Sequence, residues 1–122
     1  MARPRDRRSA AAYPRTARVN AVLAQVLGDT LERMRDDDER LGLLTVTGVS
    51  VEADLRHATV YMASLPEGAQ AALEARRLEL QAAIAREVRL KRTPTLKFLA
   101  DPAIAAGERV EEALRRARHD DA

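Results

Sequence analysis

The sequence predicts an α+β domain, with one three-stranded sheet and helices packed on one of its faces. Three observations carry that prediction. Apolar residues between Val19 and Met34 recur at helical spacing. Two β-branched runs alternate at period two around a short link, and the alternation returns after Pro94. The predicted order is helix, strand, strand, helix, helix, strand and a C-terminal helix. A chain of 122 residues suits one such domain.

Residues 1–15 combine two prolines with Arg3, Arg5, Arg7, Arg8 and Arg15, and are poor in apolar side chains other than alanine. They read as a disordered basic arm, ahead of a domain over 16–118 and a disordered tail over 119–122. Thr16 offers an N-cap. Val19, Val22, Leu23, Val26, Leu27, Leu31 and Met34 then mark one face of an amphipathic helix. The acidic run 36–39 follows with no further ligand cluster beside it, which fits a solvated helix end or loop.

The two strands lie in "LLTVTGVSVEADLRHATVYMAS". Leu44 and Val46 alternate with Thr45 and Thr47, and Val49 and Val51 resume on a shifted phase after Gly48. A phase slip at glycine predicts a bulge. Residues 53–56 make the turn, and Ala58, Val60 and Met62 alternate with Thr59 and Tyr61, which predicts an antiparallel hairpin. His57, at the strand entrance, is expected to be an exposed turn residue with no partner ligand.

Residues 65–91 are helical by composition, with Leu80, Ile84 and Val88 as a stripe at four-residue steps. An unbroken helix would place Arg77 inside that stripe and Leu78 on the far side. The predicted remedy is a break near 75–78, with a short helix around Leu73 and a longer one from about Leu78 to Leu90. Pro94 bars the helix from continuing. Leu96 and Phe98 face inward from a third strand, Asp101-Pro102 turns the chain, and 105–118 forms a last helix with Val110, Ala113 and Leu114 as its apolar side.

Several function classes are excluded or disfavoured. Without cysteine there are no disulfides, no thiolate catalysis and no Cys-based zinc site. No run of apolar residues approaches membrane-spanning length, and no hydrophobic segment follows the N-terminal arginines, so a soluble cytoplasmic protein is expected. Phe98, Tyr13 and Tyr61 are the only aromatics, which leaves little for base stacking. No nucleophile–base pair, nucleotide loop or ligand cluster marks an enzyme, and no cofactor or metal is expected.

Net charge is only +2, yet it is unevenly placed. Residues 28–41 are acidic, whereas 76–92 carry Arg76, Arg77, Arg86, Arg89, Lys91 and Arg92 against Glu79 and Glu87. Such polarity favours oriented docking on a polyanion. The corner "VRLKRTPTLKF" concentrates it where a helix gives way to a strand.

The stretches "RVNAVLAQVLGDTL", "ERLGLLTVTGVSVEADLRHATVYMASL" and "VRLKRTPTLKFLAD" resemble bacterial ribosome-binding factor A, in order and spacing from about Arg18 to Leu114. The specific pieces are Val49, Asp54-Leu55, Ala58 and Val60-Tyr61 in the hairpin, and Arg89-Leu90, Pro94, Leu96, Phe98 and Asp101 at the corner. The resemblance implies a type II KH-like domain. It further implies a non-catalytic assembly factor, which binds the small (30S) ribosomal subunit and assists its maturation and 16S rRNA 5′-end processing as a monomer without a cofactor. Two departures stand out. The chain has no Gly-x-x-Gly spacing, and Arg76-Arg77-Leu78 stands where the family has Ala-x-Gly. Glu39 replaces the proline usual before Arg40.

Phosphate contact then falls to side chains, and the candidate RNA-binding residues are Arg76, Arg77, Arg86, Arg89, Lys91 and Arg92. Contacts of this kind position a protein without reading sequence, so specificity would come from the shape of folded rRNA. Two other readings compete: a general single-stranded RNA-binding KH module, and a protein-interaction or dimerisation module without RNA binding.

Overall fold

In the computed structural model of the chain, the middle strand β2 (His57–Met62) pairs antiparallel with β1 (Val46–Val51) and parallel with β3 (Thr95–Ala100). The structure describes residues 2–42 and 44–120, with side chains from 16 to 119 apart from residue 43. The side chains of 1–15 and of 120–122 lie outside those described, but the backbone of the first helix begins at Ala2, so Thr16 stands inside the helix rather than at its N-cap.

The five residues 52–56 suffice to link the antiparallel pair, but a parallel pair needs a longer crossover. Helices α2 (Glu67–Ala75) and α3 (Arg77–Glu87) supply it. Helix α1 (Ala2–Met34) packs against β1 and α3, so the core lies between the sheet and these three helices. Leu23, Leu27 and Leu31 of α1 meet Val60, Leu96 and Phe98 of the sheet and Leu80 and Ile84 of α3, all of them buried. Two helix amides tie the layers at the strand edges. Asn20 Oδ1 accepts from the Val51 N–H at 3.0 Å, and Gln81 Oε1 accepts from the Leu96 N–H at 3.1 Å.

The phase slip in β1 is a bulge: the register moves between Val46, opposite Met62, and Gly48, opposite Tyr61. Thr47 is the extra residue. Its hydroxyl, re-aimed by the bulge, donates to Asp101 Oδ2 at 2.6 Å. Glycine is not what the bulge demands, because Gly48 lies outside the positive-φ region and a Cβ there would meet nothing within 4 Å. The position that does need glycine is Gly42, at φ +36 and ψ −126.

The helix break falls at Arg76, which closes α2 and opens α3 at φ −108, ψ 16. Its N–H reaches back to the carbonyls of Ala72 and Leu73 at 3.1 and 3.2 Å. A negative φ is open to any L-residue. The kink therefore forms with Arg76-Arg77-Leu78 in place of Ala-x-Gly.

Three expectations need correction. Val22 is 45% exposed, because the buried stripe of α1 is centred on Leu23, Leu27 and Thr30 and leaves Val22 on its margin. Val46 and Val88 are only partly buried against the core. The last helix, α4 (Pro102–Asp120), starts earlier and runs further than expected. Its predicted apolar side faces solvent, with Val110 58% and Leu114 56% exposed. Asp101 and Pro102 explain the early start: proline suits the first helical position, and Asp101 Oδ1 accepts the Ala103 N–H at 2.9 Å.

Candidate nucleic-acid interface

The basic corner is mostly a loop. Helix α3 ends at Glu87, short of the expected Leu90, and Val88 is already extended at φ −126, ψ 132. The side chains give the reason. Val88 and Leu90 both pack against the core, and period-two packing requires an extended chain. Their neighbours Arg89 and Lys91 consequently point to solvent, as does Arg92. Pro94 is buried and pins the far end of the loop, and the Thr95 N–H donates to the Arg56 carbonyl at 2.8 Å.

Arg86 is exposed in the last turn of α3. Among the described residues, none of Arg86, Arg89, Lys91 and Arg92 has a carboxylate within 4.0 Å. Four cations clustered over seven residues are thus free to meet an external anion.

Arg76 and Arg77 differ. Arg76 grips Glu79 with two nitrogens, Nε at 3.1 Å and Nη2 at 2.9 Å, and its Nη1 lies 3.7 Å from Asp38 Oδ2. Only 20% of its side chain is exposed. The fork to Arg76 holds the Glu79 carboxyl below its ordinary value. Asp38 is set still lower, to about 2, first by its hydrogen bonds from the Arg40 side chain and then by the Arg40 N–H and the charges of Arg40 and Arg76. Arg77 Nη1 lies 3.5 Å from Glu74 Oε2. The six candidate residues therefore fall into four uncommitted cations near the α3–β3 corner and two that are engaged at the α2–α3 joint.

The acidic run is correspondingly more than a solvated end. Asp38 caps the short 3-10 turn Glu39–Leu41 and is the acid that reaches Arg76. His57 also departs from expectation. The hairpin turn brings Glu52 Oε2 to 3.8 Å and Asp54 Oδ2 to 3.9 Å from its Nδ1, with all three residues exposed.

Two cations missed in the sequence join the basic region. Arg56 is exposed at the sheet end where β2 meets the corner, and its position follows only from the parallel β2–β3 register. Arg33 of α1 shares a cleft with Arg76 and Arg86, a juxtaposition between residues far apart in the chain. No local pattern could have signalled either.

Comparison with known proteins bears on the whole domain. The family model described as Ribosome-binding factor A matches residues 15–114. Ribosome-binding factor A of Rubrobacter xylanophilus is 38% identical over 111 residues, covering 88% of this chain and 90% of the relative. The crystal structure of ribosome-binding factor A from Thermus thermophilus superposes with a TM-score of 0.64 at 37% identity, covering 70% of this chain and 94% of that one. A second similar structure is a homology model of the Thermus thermophilus factor fitted into the cryo-EM map of a 30S–RbfA complex. Its TM-score is 0.57 at 38% identity, with 68% of this chain and 91% of that chain covered.

Proposed function

The chain belongs to the ribosome-binding factor A family, and on that basis we propose that it binds the small ribosomal subunit as a non-catalytic assembly factor. In this reading it acts in the cytoplasm as a monomer and assists 16S rRNA 5′-end processing without a cofactor. Among the described residues no helix is long and apolar enough to cross a membrane.

One observation in this chain carries the reading: Arg86, Arg89, Lys91 and Arg92 stand together at one corner without a carboxylate partner. Uncompensated cations gathered at one corner repel one another and favour a polyanion. Each can neutralise a backbone phosphate, while the shape of the folded RNA selects the site. The α2–α3 joint contributes by holding the corner's supporting helix at a fixed angle, with Arg76 and Arg77 at its edge as the remaining part of the proposed surface.

The test is sedimentation of the protein with small subunits, large subunits and whole ribosomes across a salt series. The expected result is selective association with small subunits that weakens as salt rises. Equal affinity for short single-stranded oligonucleotides would favour the general KH module. Salt-insensitive behaviour with no RNA association would favour a protein-interaction module.

A further inference from the structure

Thr30 is the only buried polar side chain among the described residues, at 6% exposure. Its hydroxyl donates to the Val26 carbonyl at 2.7 Å and accepts from Arg33 Nη2 at 3.4 Å. A threonine inside an otherwise aliphatic helix face thus steadies an arginine on the helix's rim. That rim is one wall of a cleft of about 210 Å³, whose lining includes Thr30, Arg33 and Asp37 from the α1 side and Arg76, Glu79 and Arg86 from the α2–α3 side.

The charges in this cleft do not cancel. Glu79 is taken up by Arg76, which also leans toward Asp38. Arg33 and Arg86 remain, from two different helices, with Asp37 as the only other acid lining the cleft. Neither arginine has a carboxylate within 4.0 Å among the described residues. Each stands in the last turn of its helix, where the helix dipole favours a cation. The dipole accounts for each arginine singly, but not for both opening onto one cleft.

We propose that Arg33 and Arg86 hold a single RNA backbone phosphate between them, with the Arg76–Glu79 pair as the fixed floor of the seat. This rests on the RNA-binding reading above and extends the surface from α3 across to α1. Guanidinium forks suit the arrangement, since one phosphate offers enough oxygens to accept from two of them. Arg76 is a positioning residue here, because its nitrogens are already engaged by acids of this chain.

The experiment is a double-mutant cycle on binding of purified small subunits, using wild type, Arg33→Ala, Arg86→Ala and the double variant. If both arginines hold one phosphate, the double variant loses less affinity than the product of the single losses, by at least about twofold. Its dependence of log affinity on log salt also flattens by about 0.7–0.9, the share of a single contact. Arg33→Gln, which keeps a donor toward Thr30, should weaken binding as Arg33→Ala does while unfolding at the wild-type midpoint. It decides the matter if the alanine variant is unstable. Losses that multiply, or wild-type affinity in both Arg33 variants, would overturn the shared seat. Wild-type protein that fails to bind small subunits at all would instead sink the reading on which the seat rests.

Discussion

Arg76 Nη1 lies 3.7 Å from Asp38 Oδ2, which joins the acidic turn after α1 to the break between α2 and α3. The same Asp38 receives Arg40 through two side-chain nitrogens at 2.9 and 2.8 Å. A kink that glycine could leave slack is braced here by ionic contacts. Arginine can occupy it because its φ of −108 is unstrained.

That brace should be visible in acid. The Asp38 pKa is lowered from 3.8 to about 2, chiefly by its hydrogen bonds from Arg40, so the folded state favours the ionised form. Its contribution to stability is complete above the unfolded-state pKa near 4 and is lost as pH falls through about 2. Asp38→Asn should lower the thermal midpoint at neutral pH, and the gap from wild type should close as pH falls from about 4 toward 2. A gap that stays constant over that range would mean Asp38 contributes nothing through its charge.

Phe98, 1% exposed and opposite Val60 in the parallel register, fills the centre of the sheet's inner face. Phe98→Ala should cost about 3–5 kcal/mol, the usual range for a buried aromatic. Chemical denaturation measures it directly, and an unchanged midpoint would remove Phe98 from the core.

Gly42, ahead of β1, and Gly48, inside it, should respond differently. Gly42 sits at φ +36, so Gly42→Ala is strained by about 1–3 kcal/mol. Gly48 has no positive φ and no atom within 4 Å of a built Cβ, so Gly48→Ala should be close to neutral. Equal losses from the two substitutions, compared by denaturant midpoint, would contradict this account of the turn.

Helix α4 should be energetically separate from the core. Leu114 is 56% exposed, and Leu114→Ala should change stability by no more than about 0.5 kcal/mol. A loss of several times that in a thermal melt would show that this helix face is covered in solution.

The core was legible because it depends on periodicity. Leu80 and Ile84 at helical steps, and Leu96 and Phe98 at period two, are buried as their spacing predicts. The misplaced Arg77 of an unbroken helix likewise exposed the break at Arg76. What escaped was decided by tertiary contacts. Val88 and Leu90 reach the core only in an extended chain, which ends α3 early, and no local propensity reports that. Arg33 meets Arg86 only after α1 and α3 pack, and Asp38 meets Arg76 only once the chain has turned back. Nor does an amphipathic sequence show whether anything lies against it, which is why the apolar side of α4 was misread.

The central claim is that the cations beside β3 bind RNA phosphates rather than support the fold. The measurement is the affinity for purified small subunits across a salt series, for wild type and for Arg86→Ala/Arg89→Ala/Arg92→Ala. All three side chains are exposed and lack a carboxylate partner among the described residues, so the unfolding transition should stay near wild type. Affinity should fall, and the dependence of log affinity on log salt should flatten by about 2–3 units if each arginine neutralises one phosphate, and by about 1.4–1.8 units if Arg33 retains the phosphate it shares with Arg86. Asp36→Asn with Asp37→Asn, on the acidic side, should leave affinity unchanged or raise it slightly. If the triple variant binds with wild-type affinity and salt slope, the corner is a solvated face and the claim is wrong.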